Sequence, residues 1–355
     1  VADYTVNFKL AKSGVNYVAS TEKNVQVYFY SSSAKRASLA TEDDLMKQIN
    51  TFKHCDLYDS AGEIALIAAA DRIALQSITH NHITGREKGE EVADYTVNFK
   101  LAKSGVNYIA STEKNVQVYF YSGTAKRAKD ATEDDLMKQI NTFKHCSLYD
   151  EATEIAAIAA ADRIALQSIT HNHITGREKG EEVADYTVNF KLAKDASGDY
   201  IASTEKNVQV YFYSSDLDRA SDATEDDLMK QINTYKYCSL YDTAVKIAAI
   251  TDAEEKALQS VTYNHIQGRE KGEEVADYTT NFKLKKDASG DYIASEEKNY
   301  QVYFYGDSTS ATKRASLATE DELMGQINTY KFTSQITVAD IASTDVIALQ
   351  SITYN

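Results

Sequence analysis

The sequence predicts an α+β fold: four tandem copies of a small domain, each an antiparallel β-hairpin or sheet packed on one or two helices. Three observations carry this expectation. The string VADYT recurs at Val1, Val92, Val183 and Val275, at spacings of 91, 91 and 92 residues. Each copy opens on a stretch that alternates in polarity with a period of two, the mark of a half-buried strand. Each copy then carries a helix-start signature ahead of apolar residues at helical spacing.

The repeat divides the chain into 1–91, 92–182, 183–274 and 275–355. Copies one and two differ at nine positions, among them Val18/Ile109, Ser38/Lys129, Asp56/Ser147 and Leu66/Ala157. A unit of about 90 residues exceeds the roughly 20–50 of short solenoid repeats. It is long enough to hold a small core of its own. Four similar domains in a row are therefore expected.

In copy one, Tyr4, Val6, Phe8 and Leu10 face one way and Thr5, Asn7 and Lys9 the other, which predicts a strand. Ala11–Asn16, with Ser13-Gly14, reads as a turn. It is one residue longer in copies three and four (Asp195–Asp199 and Asp287–Asp291), as hairpin loops tolerate. Tyr17–Tyr30 returns as a strand ending in NVQVYFY, with rings on both faces. The next loop is polar and the most variable part of the repeat. Thr41-Glu42-Asp43-Asp44 then supplies a capping hydroxyl and acids at a helix start, followed by Leu45, Ile49 and Phe52 with Met46 beside them. Ala-rich 61–71 predicts a second helix, and β-branched residues from about 73 predict a strand. Gly85–Glu91 is a short charged connector to the next copy, too short for a flexible tether.

Composition narrows the function classes. With 43% hydrophobic and 10% aromatic residues among 355, the chain is globular and not disordered. Lys and Arg number 38 against 53 Asp and Glu, a net charge of −15. Such a surface repels phosphate backbones and anionic lipid, so neither nucleic acid nor membrane insertion is expected. No apolar run approaches the roughly 18 residues of a spanning helix. Three cysteines do not make a disulfide framework, and there is no Pro or Trp. The unpaired cysteines suit a reducing interior, whereas repeat amplification and the Val start lean toward a processed, extracellular product.

The candidate metal or cofactor residues are His54, Cys55, His80, His82, His145, Cys146, His171, His173 and Cys238. Two His at i and i+2 on a strand share a face, and thiolate with imidazole suits zinc or copper. The copies supply an internal control: the His54 slot reads His54, His145, Tyr237, Phe332, and the His80 slot reads His80, His171, Tyr263, Tyr354. A flat ring that fills space survives such exchanges; a ligand does not. The Cys slot ends in Thr333, which suggests a small filler, so no cofactor is expected. The alternative is a covalent chromophore on Cys55, Cys146 and Cys238, or a divalent metal. Asp195–Asp199 resembles the start of a calcium loop, but position 12 is Lys206 and not Glu. Lys35-Arg36-Ala37-Ser38 and Lys313-Arg314-Ala315-Ser316 resemble kinase acceptor sites, yet Lys129 occupies the serine slot in copy two.

No nucleophile elbow, phosphate-binding loop, dinucleotide fingerprint or zinc-protease motif occurs, so no enzyme is expected. Tyrosine is abundant, with 25 residues. Tyr28, Tyr30, Tyr119, Tyr121, Tyr211, Tyr213, Tyr303 and Tyr305 are the candidate binding residues, since Tyr favours interfaces and carbohydrate platforms. The expectation is a non-enzymatic structural or assembly protein, a scaffold or fibre former whose partner is itself or another protein. The alternatives are a multivalent binder of a glycan or protein, and a cofactor- or pigment-carrying linker using the Cys and His slots.

Overall fold

The computed structural model describes residues 1–13, 16–306, 311–319, 322–333, 337–338 and 341–355, with backbone alone for 10–13 and 16–18. The chain forms sixteen strands, and those of each compact unit pair antiparallel with their neighbours in sequence. Each copy supplies four strands. Copy one gives β1 (Tyr4–Ser13), β2 (Asn16–Tyr30), β3 (Met46–Lys53) and β4 (Leu75–His82). Copy two gives β5 (Val92–Ser104), β6 (Asn107–Tyr121), β7 (Met137–Lys144) and β8 (Leu166–His173). Copy three gives β9 (Val183–Lys194), β10 (Tyr200–Tyr213), β11 (Met229–Lys236) and β12 (Leu258–His265). Copy four gives β13 (Val275–Lys286), β14 (Tyr292–Tyr305), β15 (Met324–Lys331) and β16 (Leu349–Tyr354). Two compact units are distinguishable: Val1–Ile169 with Arg177–Gly180 and Phe190–Thr204, and Thr170–Gly176 with Glu181–Asn189 and Glu205–Asn355.

This overturns the α+β expectation. The described α-helices are single turns: α1 (Ala61–Ala65), α2 (Ala152–Ala157) and α3 (Ala244–Ala248). The helix expected over 41–52 is instead a turn followed by β3. Asp44 is not helical. Its carboxylate accepts from the Thr41 N–H at 2.8 Å and from the Thr41 hydroxyl at 3.2 Å, closing the turn. In β3 the buried residues are Gln48, Asn50 and Phe52, a period of two. Leu45, Ile49 and Phe52 shared helical spacing by coincidence, because the two buried amides do not register as core in an apolar count.

In the first unit, β1 to β7 pair in turn, all antiparallel. One face is apolar. Val25 pairs with Phe52 and Phe52 with Leu75, and all three are fully buried. Burying each such side chain contributes about 1.5–3 kcal/mol. The segment between β3 and β4 covers this face through Tyr58, Ile64 and Ile67. Asn50, wholly buried, donates from Nδ2 to the Ala69 carbonyl at 3.2 Å and accepts from Gln48 Nε2 at 2.7 Å. The Tyr58 hydroxyl donates to the Ile73 carbonyl at 2.9 Å. Buried amides thus satisfy the backbone of a non-regular cover, as burial of peptide groups requires.

The opposite face is polar and uncharged along its central rows: Gln26, Thr51, Ser77, Asn98 and Asn115 are successive register partners. The second unit repeats the plan from β10 to β16. The expected Ser13-Gly14 turn falls at 14–15, outside the described residues; its counterpart in copy two turns at Gly105, with φ 63°.

Candidate functional site

Each copy is tied together by one arginine from the variable loop, buried in copy two and largely enclosed in the others. Arg127 is 8% exposed. Its Nη2 lies 2.7 Å from Asp94 Oδ1, and its Nη1 donates to the carbonyls of Ile155 at 3.0 Å and Ile158 at 2.7 Å. Its guanidinium also stands over the Phe120 ring at 5.7 Å. Arg36 with Asp3, Arg219 with Asp185 and Arg314 with Asp277 repeat the arrangement. One side chain therefore joins the first strand, the variable loop and the turn after the short helix. Sequence reasoning passed over it as part of a chance phosphorylation motif. The available signal was that this arginine, with the alanine after it, is kept in all four copies while most of the loop around it changes.

A second arginine, from the connector, joins consecutive copies. Arg86 Nη2 donates to the carbonyls of Ala128 and Ala131, both at 2.5 Å, and Nη1 to that of Glu90 at 3.2 Å. Glu91 accepts from the Met46 N–H at 3.0 Å, and Lys88 donates to the Glu42 carbonyl at 2.6 Å. In the second unit Arg269 reaches Ala315 and Ala318, and Glu274 accepts from Met229. Gly85 and Gly89, at φ 73° and 93°, turn the backbone where side chains are unfavourable.

Across the boundary between copies one and two, β4 and β5 form an antiparallel ladder like those inside a copy. His80 opposes Tyr95 and stacks on it at 4.5 Å between centroids. Thr79 and Thr96 share a hydrogen bond at 2.7 Å, and Tyr119 donates to Thr96 at 2.7 Å. Burial pushes the His80 imidazole down to about 4, helped by Lys47 and Arg72. His171 stacks on Tyr186 at 4.6 Å, and in copy three Tyr263 stacks on Tyr278 at 4.7 Å. The slot thus holds a ring that lies against the next copy's first tyrosine, whether imidazole or phenol.

His82 ends β4 and its pKa is lowered by burial and by Arg86; His173 ends β8. His54 and His145 follow β3 and β7, their backbone N–H groups donating to Lys23 and Lys114. In that slot Phe332 tilts against Tyr300 at 5.4 Å. Cys55, Cys146 and Cys238 are half-buried free thiols. Cys55 packs against the copy-one core. Among the described residues, no three His, Cys, Asp or Glu side chains gather as a metal would need.

Tyr30, Tyr121, Tyr213 and Tyr305 are buried, each donating to a carbonyl at or just before the start of the first strand of its copy: Ala2, Ala93, Ala184 and Ala276. In copies two to four the ring packs with two alanines of the variable loop and with the tyrosine two residues earlier. Tyr28, Tyr119, Tyr211 and Tyr303 lie on the polar face and hydrogen-bond Thr5, Thr96, Thr187 and Thr279. The Asp195 carboxylate accepts from the Ser197 and Asp199 N–H groups and closes its hairpin.

The first and last strands expose what the copy boundaries bury. Phe8 of β1 is 52% exposed, against 8% for Phe99 and Phe190 in the same slot. Ile352 of β16 is 38% exposed, against 5% for Ile78. Tyr354, in the His80 slot, is exposed.

No protein-family model and no curated protein matches the sequence. Among solved structures, the chain is similar to a porin-like protein from Bacteroides uniformis at 8% identity, with 86% of this chain and 93% of that chain covered and a TM-score of 0.20. A likeness at that level carries no weight for fold or function.

Proposed function

We propose that the chain is a non-enzymatic structural or assembly protein that associates head to tail, β16 of one molecule adding to β1 of the next. The supporting observation is the match between what the two end strands expose and what the β4–β5 boundary buries. In the β4–β5 register, Thr353 would meet Thr5, Tyr354 would meet Tyr4 and Ile352 would meet Val6. The pairing reproduces the stacked rings and the threonine pair of the internal boundary. Edge strands with open backbone groups and apolar side chains are templates for such addition. A heterologous contact that does not close makes an open chain of molecules.

The test is mass in solution across a concentration series. Light scattering should show oligomers growing with concentration, and Ile352→Lys, which places a charge on the exposed edge, should suppress them. Strictly monomeric behaviour, or association unchanged by Ile352→Lys, counts against the proposal.

The uncharged polar face favours a second reading, a multivalent binder of a neutral glycan or a protein. Amide and hydroxyl rows recur in every copy, and tandem linkage raises avidity by roughly 10²–10⁴. A monomeric chain retained on a glycan array, and released by Asn98→Asp with Thr51→Asp, would favour it over assembly.

A further inference from the structure

We propose that the boundary between copies three and four holds a binding site for a small organic cation with a guanidinium or ammonium group, in the place that an arginine side chain fills at the earlier boundaries. At the first boundary Arg72 stands over Phe99 at 5.5 Å, and at the second Arg163 stands over Phe190 at 5.5 Å. Both phenyl rings are buried beneath these cations. At the third boundary the arginine slot is Glu255, and the ring beneath it, Phe282, is only half-buried. A cavity of about 610 Å³ opens there, lined by Glu254, Glu255 and Glu297 with Phe282, Tyr263 and Ser295.

The charge reversal removes the cation and leaves its surroundings. Glu297 occupies the slot of Glu113 at the first boundary, so the carboxylate is unchanged while the arginine beside it is lost. No hydrogen bond or ion pair reaches the Glu255 or Glu297 carboxylate among the described residues, whereas neighbouring Glu296 pairs with Lys285. Burial and the charge of Glu255 raise the Glu297 pKa, the signature of two acids lacking a counter-ion. Ser295 is 9% exposed, lines the cavity, and its hydroxyl has no partner. Its counterparts Ser111 and Ser203 are equally unpartnered, so the hydroxyl marks the slot and the open volume distinguishes this boundary. Among the described residues no three acidic, His or Cys side chains gather here as a metal site. An aromatic floor with separated acids suits a flat or extended cation, held by cation–π and charge contacts together.

The probe is agmatine, which carries a guanidinium and an ammonium, titrated calorimetrically into the full chain. One saturable site per chain is expected, with no heat from a neutral alkylurea. Glu255→Arg, which restores the residue of the earlier boundaries, should weaken binding by about tenfold or more by filling the slot. Glu255→Gln, nearly isosteric, should weaken it less and serves if the arginine variant misfolds. Arg72→Glu should raise the stoichiometry from one toward two. Absence of saturable binding, affinity unchanged by both Glu255 variants, or calcium binding in place of agmatine would overturn the assignment.

Discussion

Arg127 shows how much one side chain holds. It is buried, ion-paired, and donates to two carbonyls of a segment with little regular structure of its own. Removing one partner of a buried pair leaves the other desolvated and unpaired, at a cost of about 3–5 kcal/mol. Arg127→Ala should lose that much in chemical denaturation. Arg127→Lys should recover little, because an ammonium cannot span the carboxylate and both carbonyls. His80 gives a pH-dependent counterpart. Its folded pKa, about 4, lies below the unfolded value of about 6.5, so protons bind the unfolded chain more readily. Stability is therefore full above about pH 6.5 and falls as pH drops toward 4. In His80→Tyr, the residue found at this slot in copy three, that component is absent. The gap in melting temperature between variant and wild type should widen in the variant's favour between pH 7 and pH 4.5. A constant gap would show that burial of this imidazole is not what titrates.

Among the elements, β3 and its counterparts explain both the architecture and the limits of sequence reading. The alternation in β1 and β2 was legible because apolar and polar residues occupy opposite faces. β3 was not, because two of its three core residues are amides whose burial depends on a carbonyl about twenty residues downstream. Pattern rules count hydrophobicity and miss a polar side chain that is buried because it is fully bonded. The acidic start at 41–44 misled for a similar reason, since a carboxylate that closes a turn and one that caps a helix use the same residues. The ring character of the His80 slot was legible from the internal copies. The clamp arginines were not, since only the fold shows what they reach. Asn141→Leu tests this account. It strips the hydrogen bonds from the Ala160 carbonyl and from Gln139, at about 1–3 kcal/mol. Amides of residues 145–165 should exchange faster in that variant while those of β5 and β6 stay protected. Uniform acceleration would mean that the cover is not a separable element.

At the scale of the whole molecule, charge and edge chemistry act against each other. A net charge of −15 makes any two molecules repel, whereas the end strands offer stacked rings, a threonine pair and an apolar residue in one register. The repulsion is long-ranged and screened, with a Debye length near 10 Å at 0.1 M salt and about 3 Å at 1 M. The strand pairing acts at contact distance and is little affected by salt. Head-to-tail association should therefore strengthen as sodium chloride rises from about 0.05 to 0.5 M, with average mass in light scattering rising at fixed protein concentration. Ile352→Lys should flatten that dependence because the contact itself is lost. Were oligomers instead to dissolve as salt is added, opposite charges would be holding the molecules together, and pairing of β16 with β1 would not be the contact that forms.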